Sequence, residues 1–162
     1  MTRPAHIVAV CLHPAVDRTI AVPRFAAQPL LRGELLHLEA GGKGINVCHT
    51  LSNLGRQVSV TGFVSADEKA FFLRSFRKRL VTSSLVPVAS PGRENITLFA
   101  QQPLPSGRSA APARRRLDGS ISKHQDVHIT AGRLAVTAND IKRLEGILHR
   151  QATGGDMHVL ML

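Results

Sequence analysis

The sequence predicts an α/β layered fold with a largely parallel sheet. Short apolar, β-branched segments alternate with segments of helical periodicity, which is the pattern of successive strand–helix–strand units. The 162 residues are 43% hydrophobic and 20% charged, so the chain has the composition of one ordinary globular domain. It is long enough to bury a core without disulfides. Cys11 and Cys48 both lie in apolar stretches, and we therefore expect reduced, buried thiols.

The first elements are predicted to be strands. His6–Leu12 is a short apolar run of the kind that is buried on both faces of a sheet. Thr19–Val22 is predicted as a second short strand, and Leu35–Glu39 as a third that belongs to a small sheet.

A helix is predicted over Ile45–Leu54, where apolar residues recur every three or four positions, and a strand over Gln57–Val64. Ser65 and Glu68 then have the spacing of a capping box, which predicts that Ser65 caps the next helix. The apolar face predicted for that helix consists of Phe72, Phe76 and Leu80.

The middle of the chain contains a segment of different composition. Leu85–Val88 and Asn95–Gln101 are predicted strands. Pro103–Lys123 is rich in Pro, Gly, Ser, Ala and Arg and has no apolar period, so a loop or disordered basic insertion is predicted over residues 103–124. Order is expected to resume near Asp126–Thr130.

The last predicted helix begins at Thr137, because Thr137 and Asp140 have capping-box spacing, and it ends at Gly154-Gly155. Its predicted buried stripe is Ile141, Leu144 and Leu148. Met157–Leu162 has the pattern of a fully buried strand, which needs neighbours and leads into another helix. The domain, residues 1–162, is therefore predicted to be C-terminally truncated, and its unfinished sheet predicts poor solubility or a homo-oligomer.

The charge balance indicates an anionic partner. The net charge is +10 and the sequence pI is about 11.2, which fits a phosphorylated metabolite, a nucleic acid or an acidic surface. With no Trp or Tyr and six Phe, the chain has little aromatic surface for stacking on unpaired bases. No signal peptide pattern and no run of roughly 20 apolar residues is present, so we expect a cytoplasmic protein without a membrane partner.

The segment that carries most chemistry is the glycine run Gly41-Gly42-Lys43-Gly44-Ile45-Asn46, at the mouth of the first predicted helix. Glycines let a ligand approach the backbone, and a helix N-terminus offers N–H groups and partial positive charge to anions. Lys43 adds a cation, and Asn46 adds a donor and an acceptor for hydroxyls. The spacing excludes a P-loop, which needs Ser or Thr at Gly44, and a dinucleotide-binding fingerprint, which needs Gly at Val47. By itself the run also fits a tight connection.

Two longer segments indicate which kind of binding site the glycine run belongs to. Leu12–Ile20 (LHPAVDRTI) and Ala40–Gly55 (AGGKGINVCHTLSNLG) resemble, in order and spacing, the start of the PfkB (ribokinase-like) carbohydrate kinase family. The likeness is to its branch of 1-phosphofructokinases and tagatose-6-phosphate kinases, and Arg93–Ile96 (RENI) continues it. It covers Val8–Gln101 well and residues 126–162 more faintly. The resemblance implies a ribokinase-like layered fold with a small β lid.

The resemblance also implies an ATP-dependent sugar-phosphate kinase that transfers a phosphoryl group to a hydroxyl of fructose 1-phosphate, with tagatose 6-phosphate as the second candidate. Asp17 would accept hydrogen bonds from sugar hydroxyls, and Lys43 and Arg93 would face the phosphate of the substrate. The residues implied to line the sugar are Gly41, Gly42 and Asn46. ATP, Mg²⁺ and the aspartate that acts as base belong to the family's second half, so no catalytic residue is assigned here and the chain alone is predicted not to turn over. This sequence departs from the family pattern at His13, Cys48 and Ser65.

Two other classes of function stay open. One is a non-catalytic sugar-phosphate-binding or regulatory module that keeps the affinity of the site. The other is a basic nucleic-acid-binding protein, which ranks last because the basic residues are scattered and no known nucleic-acid motif is present. His124 and His128 have a zinc-binding spacing on a helix, but they lead into a predicted strand, so no metal site is predicted.

Overall fold

The computed structural model describes residues 6–25, 30–100, 114–115, 121–122, 126–153 and 157–161. Its strands are β1 (His6–Cys11), β2 (Ala15–Val22), β3 (Glu34–Gly41), β4 (Val58–Ser65), β5 (Val81–Val88), β6 (Arg93–Ala100), β7 (Arg114–Arg115), β8 (Ile121–Ser122), β9 (Asp126–Ala131) and β10 (Met157–Met161). Its helices are α1 (Lys43–Asn53), α2 (Lys69–Ser75) and α3 (Ala138–Ala152).

The chain divides into two compact units. The first unit consists of Met1–Val16, Glu39–Arg93 and Gly132–Leu162, and the second of Asp17–Leu38 and Glu94–Ala131. In the part of the chain that the structure describes, no helix is both long and apolar enough to cross a membrane.

The first unit is built on a parallel sheet with the strand order β10-β1-β4-β5. Strand β1 pairs in parallel with β10 on one side and with β4 on the other, and β4 pairs in parallel with β5. Every residue of β4 is buried, because helices cover both faces of a parallel sheet of this type. The predicted α/β fold with a mainly parallel sheet is confirmed.

The core of the first unit has two parts, which lie on opposite faces of the sheet. On one face, Ile45 and Cys48 of α1 and Phe72 and Phe76 of α2 pack against β1 and β4. On the other face, Leu144 of α3 packs with side chains of β4 and β5 and of the segment before α3, which are Phe63, Val86, Val88 and Leu134. The alternation of side chains along β4 and β5 supplies both faces.

The second unit is built on a sheet with the strand order β3-β2-β6-β9. Strands β6 and β9 are antiparallel, with Asn95 opposite Thr130 and Thr97 opposite His128. This is the small sheet that the sequence predicted, although β2 begins at Ala15, earlier than expected. Strand β3 exposes apolar side chains, Leu35, Leu36 and Leu38. Self-association stays a prediction.

The expectation that Ser65 caps α2 is wrong. Ser65 is the last residue of β4, and its register with Val88 of β5 extends the parallel ladder through it. Its C=O accepts a 3.1 Å hydrogen bond from the Glu68 N–H, so a turn separates the strand from α2, which no side chain caps. Leu80 lies beyond the helix and is 48% exposed, so it is not part of the apolar face that Phe72 and Phe76 form.

The predicted cap of α3 is confirmed. The Thr137 hydroxyl accepts from the Asp140 N–H, and the Asp140 side chain accepts from the Thr137 N–H. The predicted stripe is wrong at Ile141, which is 46% exposed, because the side of α3 that faces the sheet carries Leu144, Ile147 and Leu148.

Strand β10 is confirmed, but the expectation that it is fully buried is wrong for two of its side chains. Val159 and Leu160 are 44% and 40% exposed. In the part of the chain that the structure describes, β10 lies at the edge of the sheet and pairs with β1 on one side. The predicted insertion over Pro103–Lys123 and the predicted helix end at Gly154-Gly155 lie outside the described residues, apart from the backbone pairing of β7 with β8.

Candidate functional site

The glycine run forms the junction between β3 and α1. Gly41 ends the strand, Gly42 is the N-cap of the helix, and Lys43 is its first residue. Gly42 has φ 108° and ψ 144°, which L side chains rarely adopt, and a Cβ there would lie 3.0 Å from the Pro14 Cα. The N-cap Gly42 offers no side chain to the first turn of α1, which carries the positive end of the helix dipole. The N–H groups of Gly44 and Ile45 in that turn interact with the buried Cys11 thiol, whereas Lys43 is exposed.

Two polar side chains of α1 are exposed beside this junction. Lys43 and Asn46 are both on the surface, and among the described residues neither side chain makes a hydrogen bond or an ion pair. The backbone of Asn46 is fixed: its N–H donates to the Gly42 C=O at 2.9 Å, and its C=O accepts from the Thr50 hydroxyl at 3.0 Å. The ammonium and the amide are therefore available to a ligand.

The thiol of Cys11 lies under the N-terminus of α1. Burial raises the pKa of this thiol. Hydrogen bonds from the backbone N–H groups of Ile45, Gly44 and His13 lower the pKa, but by less than burial raises it. A Cβ on Gly44 would lie 2.7 Å from the Cys11 Cβ, so glycine is what permits this close approach of α1 to β1. The position of the helix N-terminus relative to β1 is thus fixed by packing.

Arg93 is hydrogen-bonded to the loop that follows β1. Its Nη2 donates to the His13 C=O at 3.1 Å, and its cationic charge opposes the rise of the Cys11 pKa. Its Nε is enclosed and has no hydrogen-bond partner among the described residues. The loop after β1 therefore meets both Arg93, through the His13 C=O, and the start of α1, where a Cβ on Gly42 would contact Pro14.

Sequence reasoning missed Arg133. Partial burial, then the charges of Arg93 and Arg133, lower the pKa of His13, which stands on the loop after β1. Arg93 and Arg133 are far apart in the chain, and the sequence carries no signal that links them. His13 was singled out as a departure from the family pattern, but without a role.

Asp17 belongs to the second unit, on β2. Its Oδ1 accepts a 2.7 Å hydrogen bond from the Asn95 Nδ2, and the Asn95 Oδ1 accepts from the Thr130 hydroxyl at 3.2 Å. Next to this pair, the Arg18 Nη2 lies 2.9 Å from the Glu94 Oε1. Sequence reasoning quoted Asn95 only as part of the Arg93–Ile96 segment and did not assign it to the site.

The model of the pfkB family carbohydrate kinases matches residues 7–104, which is more than half of the chain. The chain belongs to the pfkB carbohydrate kinase family. It is 30% identical over 154 residues to the 1-phosphofructokinase of Vibrio cholerae, which covers 95% of this chain and 42% of that protein. It is 35% identical over 92 residues to the 1-phosphofructokinase of Rhodobacter capsulatus, which covers 57% of this chain and 29% of that protein.

A solved structure of the family supports the same assignment. The crystal structure of a possible 1-phosphofructokinase from Thermotoga maritima superposes with a TM-score of 0.68 at 27% identity, and covers 96% of this chain and 44% of that chain. The chain therefore spans less than half the length of these relatives. The ribokinase-like fold that the resemblance implied is confirmed.

Proposed function

We propose that this chain carries the sugar-phosphate side of a pfkB-type kinase and binds a phosphorylated ketohexose, with fructose 1-phosphate as the first candidate. The observation that carries the proposal is the N-terminus of α1, which begins after Gly42 with the exposed Lys43, together with Arg93, whose guanidinium donates to the His13 C=O. Relatives named 1-phosphofructokinase support the choice of sugar.

The phosphate of the ligand is assigned to the cations. Lys43 is exposed and unpaired among the described residues, and Arg93 has donors to spare after its one hydrogen bond to His13. A guanidinium offers a planar fork that matches phosphate oxygens, whereas an ammonium acts as a mobile point charge. Both are suited to a phosphate monoester.

The sugar hydroxyls are assigned to neutral donors and acceptors and to one carboxylate. Gly41 and Gly42 place no side chain between a ligand and the backbone, and Asn46 presents an exposed amide that both donates and accepts. Asp17 keeps the role that the resemblance gives it, as an acceptor of sugar hydroxyls. Its carboxylate is held by Asn95 and is therefore preorganised for such bonds.

For the whole kinase we propose phosphoryl transfer from ATP to a hydroxyl of the sugar phosphate, with Mg²⁺ neutralising charge on the transferred group. We assign no residue of this chain to ATP or Mg²⁺. The described residues hold no group of three or more His, Cys, Asp or Glu side chains that would fit a metal ion. The proposal for this chain is therefore restricted to binding of the sugar phosphate.

Isothermal titration calorimetry of the full chain with fructose 1-phosphate tests the proposal. We expect saturable heat with fructose 1-phosphate and none with fructose at the same concentrations. Lys43→Ala is expected to weaken binding about tenfold, since a charge-assisted contact is lost. Lys142→Ala removes an exposed lysine of α3 and serves as the charge-matched control, with unchanged affinity expected.

Two results would contradict the proposal. The first is absence of heat for the folded wild-type chain with fructose 1-phosphate at millimolar concentration. The second is an equal loss of affinity in the Lys43 and Lys142 variants, which would indicate a general effect of net charge and no defined site.

A further inference from the structure

Two loop segments of the first unit lie side by side next to Arg93. The Ser90 hydroxyl accepts from the Ala135 N–H at 2.9 Å and donates to the Arg133 C=O at 3.4 Å. A Cβ on Gly132 would collide with the Gly92 carbonyl oxygen, so the two backbones touch at these glycines. The backbone of Arg133 is therefore fixed beside that of Arg93.

The loop that carries His13 contacts Arg93, and the charge of Arg133 acts on the same histidine. The Arg93 Nη2 donates to the His13 C=O at 3.1 Å, which fixes this guanidinium against the loop after β1. The charge of Arg133 acts on the His13 ring together with that of Arg93. The His13 loop also receives α1, since a Cβ on Gly42 would contact Pro14. The guanidinium of Arg93 and the backbone of Arg133 thus lie close to the loop that adjoins the N-terminus of α1.

The positive charge of this cluster is not neutralised by the described residues. Neither guanidinium has an ion pair in the described ranges, and Arg133 makes no side-chain hydrogen bond there. The Glu68 carboxylate contacts Gly92, so one negative charge lies against the segment that carries Arg93. An excess of positive charge remains, which an anion would neutralise.

We propose that Arg133 is a second phosphate-binding side chain, which acts together with Arg93 across His13 and makes this site selective for a phosphate monoester dianion. The inference rests on the proposed function and deepens it, since it adds a residue to the phosphate end of the same site. Two guanidinium groups supply more donors than one phosphate group accepts, and two charges match a dianion.

The test is calorimetry of the full chain with fructose 1-phosphate, inorganic phosphate and fructose. Arg133→Gln is expected to weaken binding of fructose 1-phosphate and phosphate about tenfold. Arg133→Lys keeps the charge and loses the fork, so its affinity is expected between that of Arg133→Gln and that of the wild type. Arg56→Gln removes an exposed arginine elsewhere in the first unit and is the matched control, with unchanged affinity expected.

The outcomes separate this inference from the proposed function. If the wild type binds fructose 1-phosphate and Arg133→Gln binds it equally well, the inference is wrong and the proposed function stands. If the wild type ignores the sugar phosphate but binds inorganic phosphate in an Arg133-dependent manner, the proposed function and the selectivity for a monoester are wrong, and the role of Arg133 as a phosphate-binding side chain stands. Absence of binding for both ligands overturns both. If Arg56→Gln lowers the affinity as much as Arg133→Gln does, the inference is wrong, because the loss of one positive charge then explains both results.

Discussion

The Asn95 Nδ2 donates a 2.7 Å hydrogen bond to the Asp17 Oδ1, across β6 and β2 of the second unit. The orientation of the amide is fixed from its other side, because its Oδ1 accepts from the Thr130 hydroxyl of β9. The hydrogen bond from Asn95 engages the Oδ1 of the Asp17 carboxylate and leaves its Oδ2 available to other donors. Asn95 is therefore a positioning residue for Asp17.

We predict that Asn95→Ala weakens binding of fructose 1-phosphate about fivefold to tenfold, because the Asp17 carboxylate loses its fixed orientation. Thr130→Val is expected to act in the same direction with a smaller effect, since it frees the amide to turn. Calorimetry measures both, and circular dichroism checks the fold.

Thr97→Val is the matched control for this prediction. It removes a hydrogen bond of 3.1 Å between the Thr97 hydroxyl and the His128 Nδ1, on the same pair of strands. Wild-type affinity is expected for this variant. If the Asn95→Ala variant binds fructose 1-phosphate as tightly as the Thr97→Val variant, the hydrogen bond from Asn95 does not position Asp17 for binding.

Gly42→Ala is predicted to distort the backbone at the N-terminus of α1. The φ of 108° disfavours an L side chain, and the new Cβ would lie 3.0 Å from the Pro14 Cα and 3.4 Å from the Cys11 Sγ. We expect a loss of about 1–3 kcal/mol in the free energy of unfolding, measured by urea titration, and loss of sugar-phosphate binding in the fraction that stays folded.

Gly55→Ala separates backbone strain from steric overlap. Gly55 also has a positive φ, 73°, but a Cβ there meets nothing within 4 Å. We expect a loss of about 1 kcal/mol from strain alone, with binding intact. Equal losses of stability in the two variants, with binding kept in both, would refute the role given to the packing around Gly42.

The sequence predicts best the features that depend on neighbours along the chain. The capping of α3 by Thr137 follows from a local pattern, and nothing elsewhere in the fold competes for that residue. Ser65 has the same pattern, but the ladder between β4 and β5 includes it, and such long-range pairing is invisible in a local pattern. Hydrophobic periodicity likewise predicts that Phe72 is buried, but not which side of α3 faces the sheet.

The candidate site divides in the same way. Gly42 and Lys43 are predictable because the junction of a strand with a helix is local and the glycine run marks it. The residues around His13 are not predictable, since the segment of Arg133 is held there by contacts between distant parts of the chain, of Gly132 with Gly92 and of Ser90 with Arg133. A single sequence carries no information on such contacts.

The cap of α3 gives a prediction on stability and on its dependence on pH. Thr137→Ala removes the hydroxyl that accepts the Asp140 N–H, and is expected to lower the free energy of unfolding by about 1 kcal/mol. Thr153→Ala removes a hydroxyl hydrogen bond to the Arg150 C=O at the other end of the helix and serves as the control. A smaller loss is expected there, since this hydroxyl satisfies no N-terminal N–H group.

The pH dependence follows from Asp140. Hydrogen bonds from the Thr137 hydroxyl and the Thr137 N–H hold the pKa of this carboxyl below its ordinary value of 3.8. A lowered pKa stabilises the folded chain above pH 3.8, and this stability is lost as the pH falls through the lower folded value. Thr137→Ala should therefore lose less stability on acidification than the wild type. An identical acid dependence of the urea midpoint would contradict the assignment.

The loss of folding stability at alkaline pH is predicted to depend on Cys48. Burial, then the neighbouring Cys11, raise the pKa of this thiol from 9.0 to about 12. In the unfolded chain the thiol ionises near pH 9.0, whereas in the folded chain it stays neutral to about pH 12. The unfolded state thus binds fewer protons above pH 9.0, so stability is complete below that pH and falls as the pH rises toward 12.

One thiol contributes a slope of at most about 1.4 kcal/mol per pH unit in this window. Urea unfolding of the wild type and of Cys48→Ala, compared at pH 8 and pH 10, measures it. We expect the variant to be less stable at pH 8, because a buried side chain is shortened, but to lose less on going to pH 10. Its remaining slope is expected from Cys11, whose pKa burial also raises. An equal loss in both proteins would mean that Cys48 ionises as readily in the folded chain as in the unfolded one, and would contradict the role given to its burial between α1 and the sheet.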